Sequence, residues 1–92
     1  MEIDVDALLF DDENERKFGQ HGVTVVEVQE VYELSPRFYA NLPGRRASHA
    51  MLGPTYRGRM ILVPIESLGN GVWRPVTAFQ PRPEQAARYR EE

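Results

Sequence analysis

This sequence predicts an α+β domain: an extended start, two helices, an antiparallel sheet of three or four strands, and a closing helix. Three observations predict it. Two capping-box patterns stand in the first third. Short apolar runs separated by turn residues fill positions 48–79. A proline at 83 opens an alanine- and charge-rich tail. With 92 residues the chain is expected to form one domain, spanning 1–92. Folding at that size buries only about 60–65% of the unfolded surface, so the core is modest.

The elements follow in order. "EIDVDALLF" alternates Ile3, Val5 and Ala7 with acids, which predicts a short strand or an extended arm. "DDENERKFGQHG" predicts a helix, with Asp12 and Glu15 as its capping box and Gly22 as the left-handed residue after its end. Thr24 and Glu27 form a second box, and Val25, Val28, Val31 and Tyr32 then recur at helical spacing. "SPR" at 35–37 stops that helix. "RFYANLPGRR" holds a short strand and a turn at Pro43-Gly44.

"SHAMLGPT" and "GRMILVPIE" read as strands joined by a turn at 56–58. "SLGNG" then leads to "VWRPVTAF", a hairpin signalled by Asn70-Gly71. A register centred on 67–72 sets Pro64 opposite Pro75, where neither missing N–H would break this ladder. It puts Ile61, Val63, Ile65, Val76 and Ala78 on one face, and Met60, Leu62, Trp73 and Phe79 on the other. The valine stripe of the second helix needs a cover, and the first face is expected to supply it. The second, aromatic face suits a partner or a second copy. The N-terminal arm or the last helix is the alternative cover.

Charge is unevenly spread. Residues 1–33 hold ten acids against Arg16 and Lys17, a net of −8, and residues 34–92 hold nine arginines, no lysine and four glutamates, a net of +5. Guanidinium suits bidentate contact with phosphate or carboxylate. Either the basic half binds nucleic acid or the two halves attract each other in the fold. Arg45, Arg46, Arg57, Arg82, Arg88 and Arg90 are candidates for RNA-backbone contact.

Cysteine is absent, which excludes disulfides and thiolate metal sites. His21 and His49 lack ligand-spaced neighbours, so no metal site and no cofactor are expected. Phosphate-loop, dinucleotide and nucleophile-elbow motifs are missing. No apolar run approaches the ~20 residues of a membrane span. "MEIDVD" does not resemble a signal peptide, so a cytoplasmic location is expected. His21 either supports a helix end or moves a proton. Arg59 and Arg74, at strand ends, either hold phosphate or solubilise the sheet. Tyr89 reads as a packing residue.

The order of short motifs resembles the BrnT-type toxins, small ribonucleases of type II toxin–antitoxin modules with a RelE-like fold. The stretches concerned are Phe10-Asp11, Asn14, "QHGVT" at 20–24, "EVQEVYE" at 27–33, Gly53, "GRMILV" at 58–63, "RPVTAF" at 74–79 and "RYREE" at 88–92. The resemblance implies metal-independent RNA cleavage, with His21, Arg59 and Arg74 as catalytic residues. It also implies a ribbon-helix-helix antitoxin as partner. Three motif positions depart from the family: Gln20 stands for its lysine, Phe79 for its arginine and Gln85 for its glutamate. A protein- or nucleic-acid-binding module on the same scaffold, without catalysis, is the alternative.

Overall fold

Asp11, one residue before the acid expected to cap, begins the first helix in the computed structural model, which describes residues 3–91. Its carboxylate accepts the Asn14 N–H at 2.8 Å, and Asn14 Oδ1 accepts the Asp11 N–H at 3.0 Å. An asparagine closes the box as a glutamate would, because its amide oxygen offers the same acceptor at the same reach. Asn14 Nδ2 also donates to the Leu9 carbonyl, which fixes the approach of the arm. Helix α1 (Asp12–Gln20) ends at His21. The Val23 N–H donates to Phe18 O at 2.9 Å and the Gly22 N–H to Gly19 O at 3.1 Å, around a Gly22 φ of +69°. This Schellman pair brings buried Val23 onto buried Phe18.

Helix α2 (Val25–Glu33) starts at the expected Thr24–Glu27 box. Ser35, at φ +54°, and Pro36 turn the chain into the sheet. Its strands are β1 (Ala7–Leu8), β2 (Arg37–Ala40), β3 (His49–Pro54), β4 (Met60–Gly69) and β5 (Val72–Pro75), in the spatial order β1-β5-β4-β3-β2. The expected antiparallel strands are β2 to β5. The fifth strand corrects the expectation: β1 pairs parallel with β5, so the sheet is mixed. Parallel pairing is non-local and leaves no periodic signal. The arm before β1 is tied down by Trp73 Nε1 donating to Asp4 O and Tyr32 Oη donating to Val5 O, both at 2.8 Å.

Both helices serve one face of the sheet. Phe18, Val28 and Val31 pack with Met51, Ile61, Val63 and Ile65, all fully buried. Gly53 lets α2 come close, since a Cβ there would lie 3.4 Å from both Val31 Cγ1 and Pro36 Cα.

The β4–β5 register corrects the expected faces. Asn70 and Gly71, at φ +55° and +78°, make a two-residue turn of the type that favours positive φ at both places. A bulge at Leu68 follows, and Pro75 faces Ile65, not Pro64. A one-residue slip turns every side chain over. Trp73 therefore leaves the Met60–Leu62 face and enters the core at 7% exposure, its indole edge-on to His49. Val76 moves the other way, and its N–H donates to Pro64 O. A second extra residue between 76 and 79 restores the expected sides. Ala78 is fully buried, and Phe79 pairs with Leu62 through two backbone hydrogen bonds.

Helix α3 (Pro83–Glu91) lies toward the second face and buries none of its described residues. Two stacked pairs hold it to β2: Arg88 over the Tyr39 ring at 4.3 Å, and Arg37 over the Tyr89 ring at 5.6 Å. Tyr89 Oη also donates to Ser35 O at 3.3 Å. Among the described residues no helix is long and apolar enough to cross a membrane.

Candidate functional site

His21 closes α1 with its backbone, not its ring. Its N–H donates to Phe18 O, and the Gly22 and Val23 amides satisfy the remaining turn. No hydrogen bond joins the imidazole to a described residue. The exposed ring lies tilted against Phe79, centroids 5.7 Å apart. The Schellman turn thus explains the glycine after the histidine, and leaves the imidazole nitrogens for another partner.

Arg59 approaches the same turn from the start of β4. Its Nη1 donates to Gly22 O at 3.0 Å and to both Glu27 oxygens, at 2.9 and 3.1 Å. Every described bond of this guanidinium uses Nη1, which leaves the rest of the fork for an anion. Burial opposes the charge on Glu27. The Thr24 N–H and the Arg59 guanidinium more than offset it and hold that carboxyl below its usual range. Arg57 stands beside it in the β3–β4 turn, exposed and without an ion pair to a described residue.

Tyr56 pins that turn to α2. Its N–H donates to Glu30 at 3.0 Å and its hydroxyl to Glu33 at 2.8 Å. The Glu33 carboxylate raises the phenol's pKa, so it stays protonated as a donor.

Arg74 belongs elsewhere. It is 7% exposed and bonds Asp11 through Nε at 2.7 Å and Nη2 at 3.0 Å, Glu13 through Nη2 at 2.7 Å and Glu66 through Nη1 at 3.2 Å. Asp11 begins α1 and His21 ends it, so about 15 Å of helix separates Asp11, one of Arg74's partners, from His21. The three residues matched to the family's catalytic positions are therefore not one constellation. Arg59 bonds the Gly22 carbonyl, the residue after His21, and Arg74 anchors the start of α1 to the β4–β5 hairpin. Its guanidinium holds the Asp11 and Glu13 carboxyls below their ordinary range, and its own pKa is raised in return.

The remaining arginines are dispersed as well. Arg46 bonds Glu66 at 3.0 Å and approaches Glu13 at 3.6 Å, and Arg82 pairs with Glu84 at 2.9 Å. Arg88 is spent on Tyr39. Arg45 is exposed and makes no ion pair with a described residue. The attraction between the two halves is realised in part: Arg46, Arg59 and Arg74 turn back onto acids of the first third, whereas Arg45 and Arg57 face solvent.

Of the expected interface set, Met60, Leu62 and Phe79 stay half-buried on the second face while Trp73 is in the core. Sequence reading missed Glu27 and Glu66 as arginine partners, and Phe79 as the wall of His21. No local pattern marks those long-range meetings. Among the described residues no group of three or more His, Asp or Glu is placed to hold a metal ion. Compared with protein-family models, curated proteins and solved structures, the chain matches none.

Proposed function

We propose that this chain is a metal-independent ribonuclease of the BrnT toxin kind, with a RelE-like fold, restrained by a ribbon-helix-helix antitoxin. The observation that carries the reading is that Arg59 bonds the Gly22 carbonyl in the turn that His21 opens at the end of α1. An imidazole with free nitrogens and a guanidinium with a free side share an exposed turn. The element order, two helices after an extended arm and then four antiparallel strands, supports the scaffold.

The chemistry needs nothing more exotic. The ribose 2′-oxygen attacks the adjacent phosphorus, the 5′-oxygen of the next nucleotide leaves, and a 2′,3′-cyclic phosphate forms. His21 takes the 2′-hydroxyl proton, and the departing 5′-oxygen takes a proton from solvent water. Arg59 stabilises the charge that grows on the phosphoryl oxygens. Arg74 is a structural residue in this account.

One observation favours a second reading, a binding module without catalysis. Phe79 stands where the resemblance expects an arginine, and Arg74 is already saturated by three carboxylates. Incubating the purified protein with single-stranded RNA in EDTA separates the two. Cleavage that falls about 10²-fold in His21→Ala and in Arg59→Ala supports the ribonuclease. Binding without cleavage supports the module. A folded protein that neither binds nor cuts RNA overturns the ribonuclease and leaves the module only as a protein binder.

A further inference from the structure

A hollow of about 380 Å³ opens on the second face of the sheet, between the 41–47 loop and the 76–79 segment. Its volume lies near the low end of the ~300–1,000 Å³ typical of small-ligand sites. Leu42, Pro64, Val76 and Phe79 form apolar walls. Asn41 holds the loop in place. Its N–H donates to Ser48 O and its Nδ2 to Ala47 O, both at 2.9 Å. Leu42 is left 65% exposed at the mouth.

The lip is cationic. Arg46 is neutralised by Glu66 at 3.0 Å, so the uncommitted charge is that of Arg45. Thr77 belongs to the same wall, and its Oγ1 is buried with no hydrogen-bond partner among the described residues. Buried hydroxyls ordinarily have one. Phe79 is shared, since its ring also meets His21.

We infer that this hollow is a nucleotide subsite, in which the base of a single-stranded RNA lies against Phe79 and its phosphate meets Arg45. An aromatic wall, an apolar slot for one planar group and a cation at the rim match a nucleotide in size, shape and charge. A helix or a strand would need a longer groove. Phe79 links the hollow to His21, whose ring it also touches. The inference rests on the RNA reading for its choice of ligand. It adds a residue, Phe79, whose contribution is stacking, and gives Arg45, one of the candidate RNA-backbone arginines, a defined place at the rim.

The test uses fluorescein-labelled single-stranded RNA and an abasic strand of equal length, bound to the full chain and followed by anisotropy, with amide shifts recorded in parallel. The base-bearing strand should bind at least about fivefold more tightly than the abasic one, the low end for one base–aromatic stack. Shifts should centre on Leu42, Val76 and Phe79. Phe79→Leu, which keeps an apolar wall, should abolish the preference for bases. Exposed Arg45→Ala should lower the slope of log affinity against log salt by about 1 for both strands.

Equal affinity for the two strands overturns the subsite, as does a base preference unchanged in Phe79→Leu. Displacement of the signal by an acidic peptide but not by nucleoside monophosphates overturns it too, and makes the hollow a protein site. If cleavage is absent but the base preference and its loss in Phe79→Leu are seen, the subsite stands and the ribonuclease reading fails. If cleavage occurs and Phe79→Leu leaves the base preference intact, the subsite alone fails.

Discussion

Replacing Arg74 by methionine removes one guanidinium from three carboxylates and keeps an unbranched apolar stem in its place. In the native fold the head is almost fully enclosed, with 8% of its side chain exposed, and makes four hydrogen bonds to Asp11, Glu13 and Glu66. Breaking a buried pair by removing one partner typically costs about 3–5 kcal/mol. The acids here are wetter, 22% to 47% exposed, so water screens part of the repulsion left behind. We expect about 2–4 kcal/mol, or roughly 10–25 °C of Tm in a domain this small.

The sign of the pH dependence follows from the depressed Asp11 and Glu13 carboxyls. A carboxyl with a lowered folded-state pKa stabilises the fold above its unfolded pKa, near 4, and loses that contribution as pH falls through its folded value. The wild type should therefore lose stability on acidification below about pH 5. The variant lacks the cause of the shift, so its curve should be flatter and the gap should narrow in acid. Urea denaturation at several pH values reads both quantities. A variant as stable as wild type at neutral pH, or a gap that does not change with pH, would refute the structural role assigned to Arg74.

Gly22→Ala puts a Cβ at φ +69°, with space around it but a strained backbone, and should cost about 1–2 kcal/mol in the same denaturation assay. Trp73→Ala is a core deletion that also strips Asp4 O of its donor, expected to cost about 3–5 kcal/mol in the same assay. Native Trp73 should emit at short wavelength and resist quenching by iodide. Emission like that of a solvated indole would contradict its burial. Thr24→Ala removes the acceptor of the Glu27 N–H and should cost about 1 kcal/mol by thermal denaturation.

Helices, strand order within the antiparallel set and the Asn70-Gly71 turn were legible because each is encoded locally. Thr24 with Glu27, the alternation of Ile61, Val63 and Ile65, and Pro83 at the start of α3 all signal over a few residues. The faces of Trp73 and Val76 were not legible, because one bulged leucine decides them. The parallel seat of β1 depends on Trp73, Gly71 and Tyr32, distant in sequence. At the site, the histidine–glycine turn could be read, and so could arginines at strand ends. Which acids would occupy those arginines could not. Arg74 and Arg59 look alike in sequence, and only the fold gives one three carboxylates and the other one.

Cleavage of a single-stranded RNA in EDTA, with product ends identified by mass, tests the proposed chemistry most directly. The wild type should give 2′,3′-cyclic phosphate ends, and His21→Ala a rate about 10²-fold lower. No cleavage by the folded wild type, or an equal rate in His21→Ala, would contradict it.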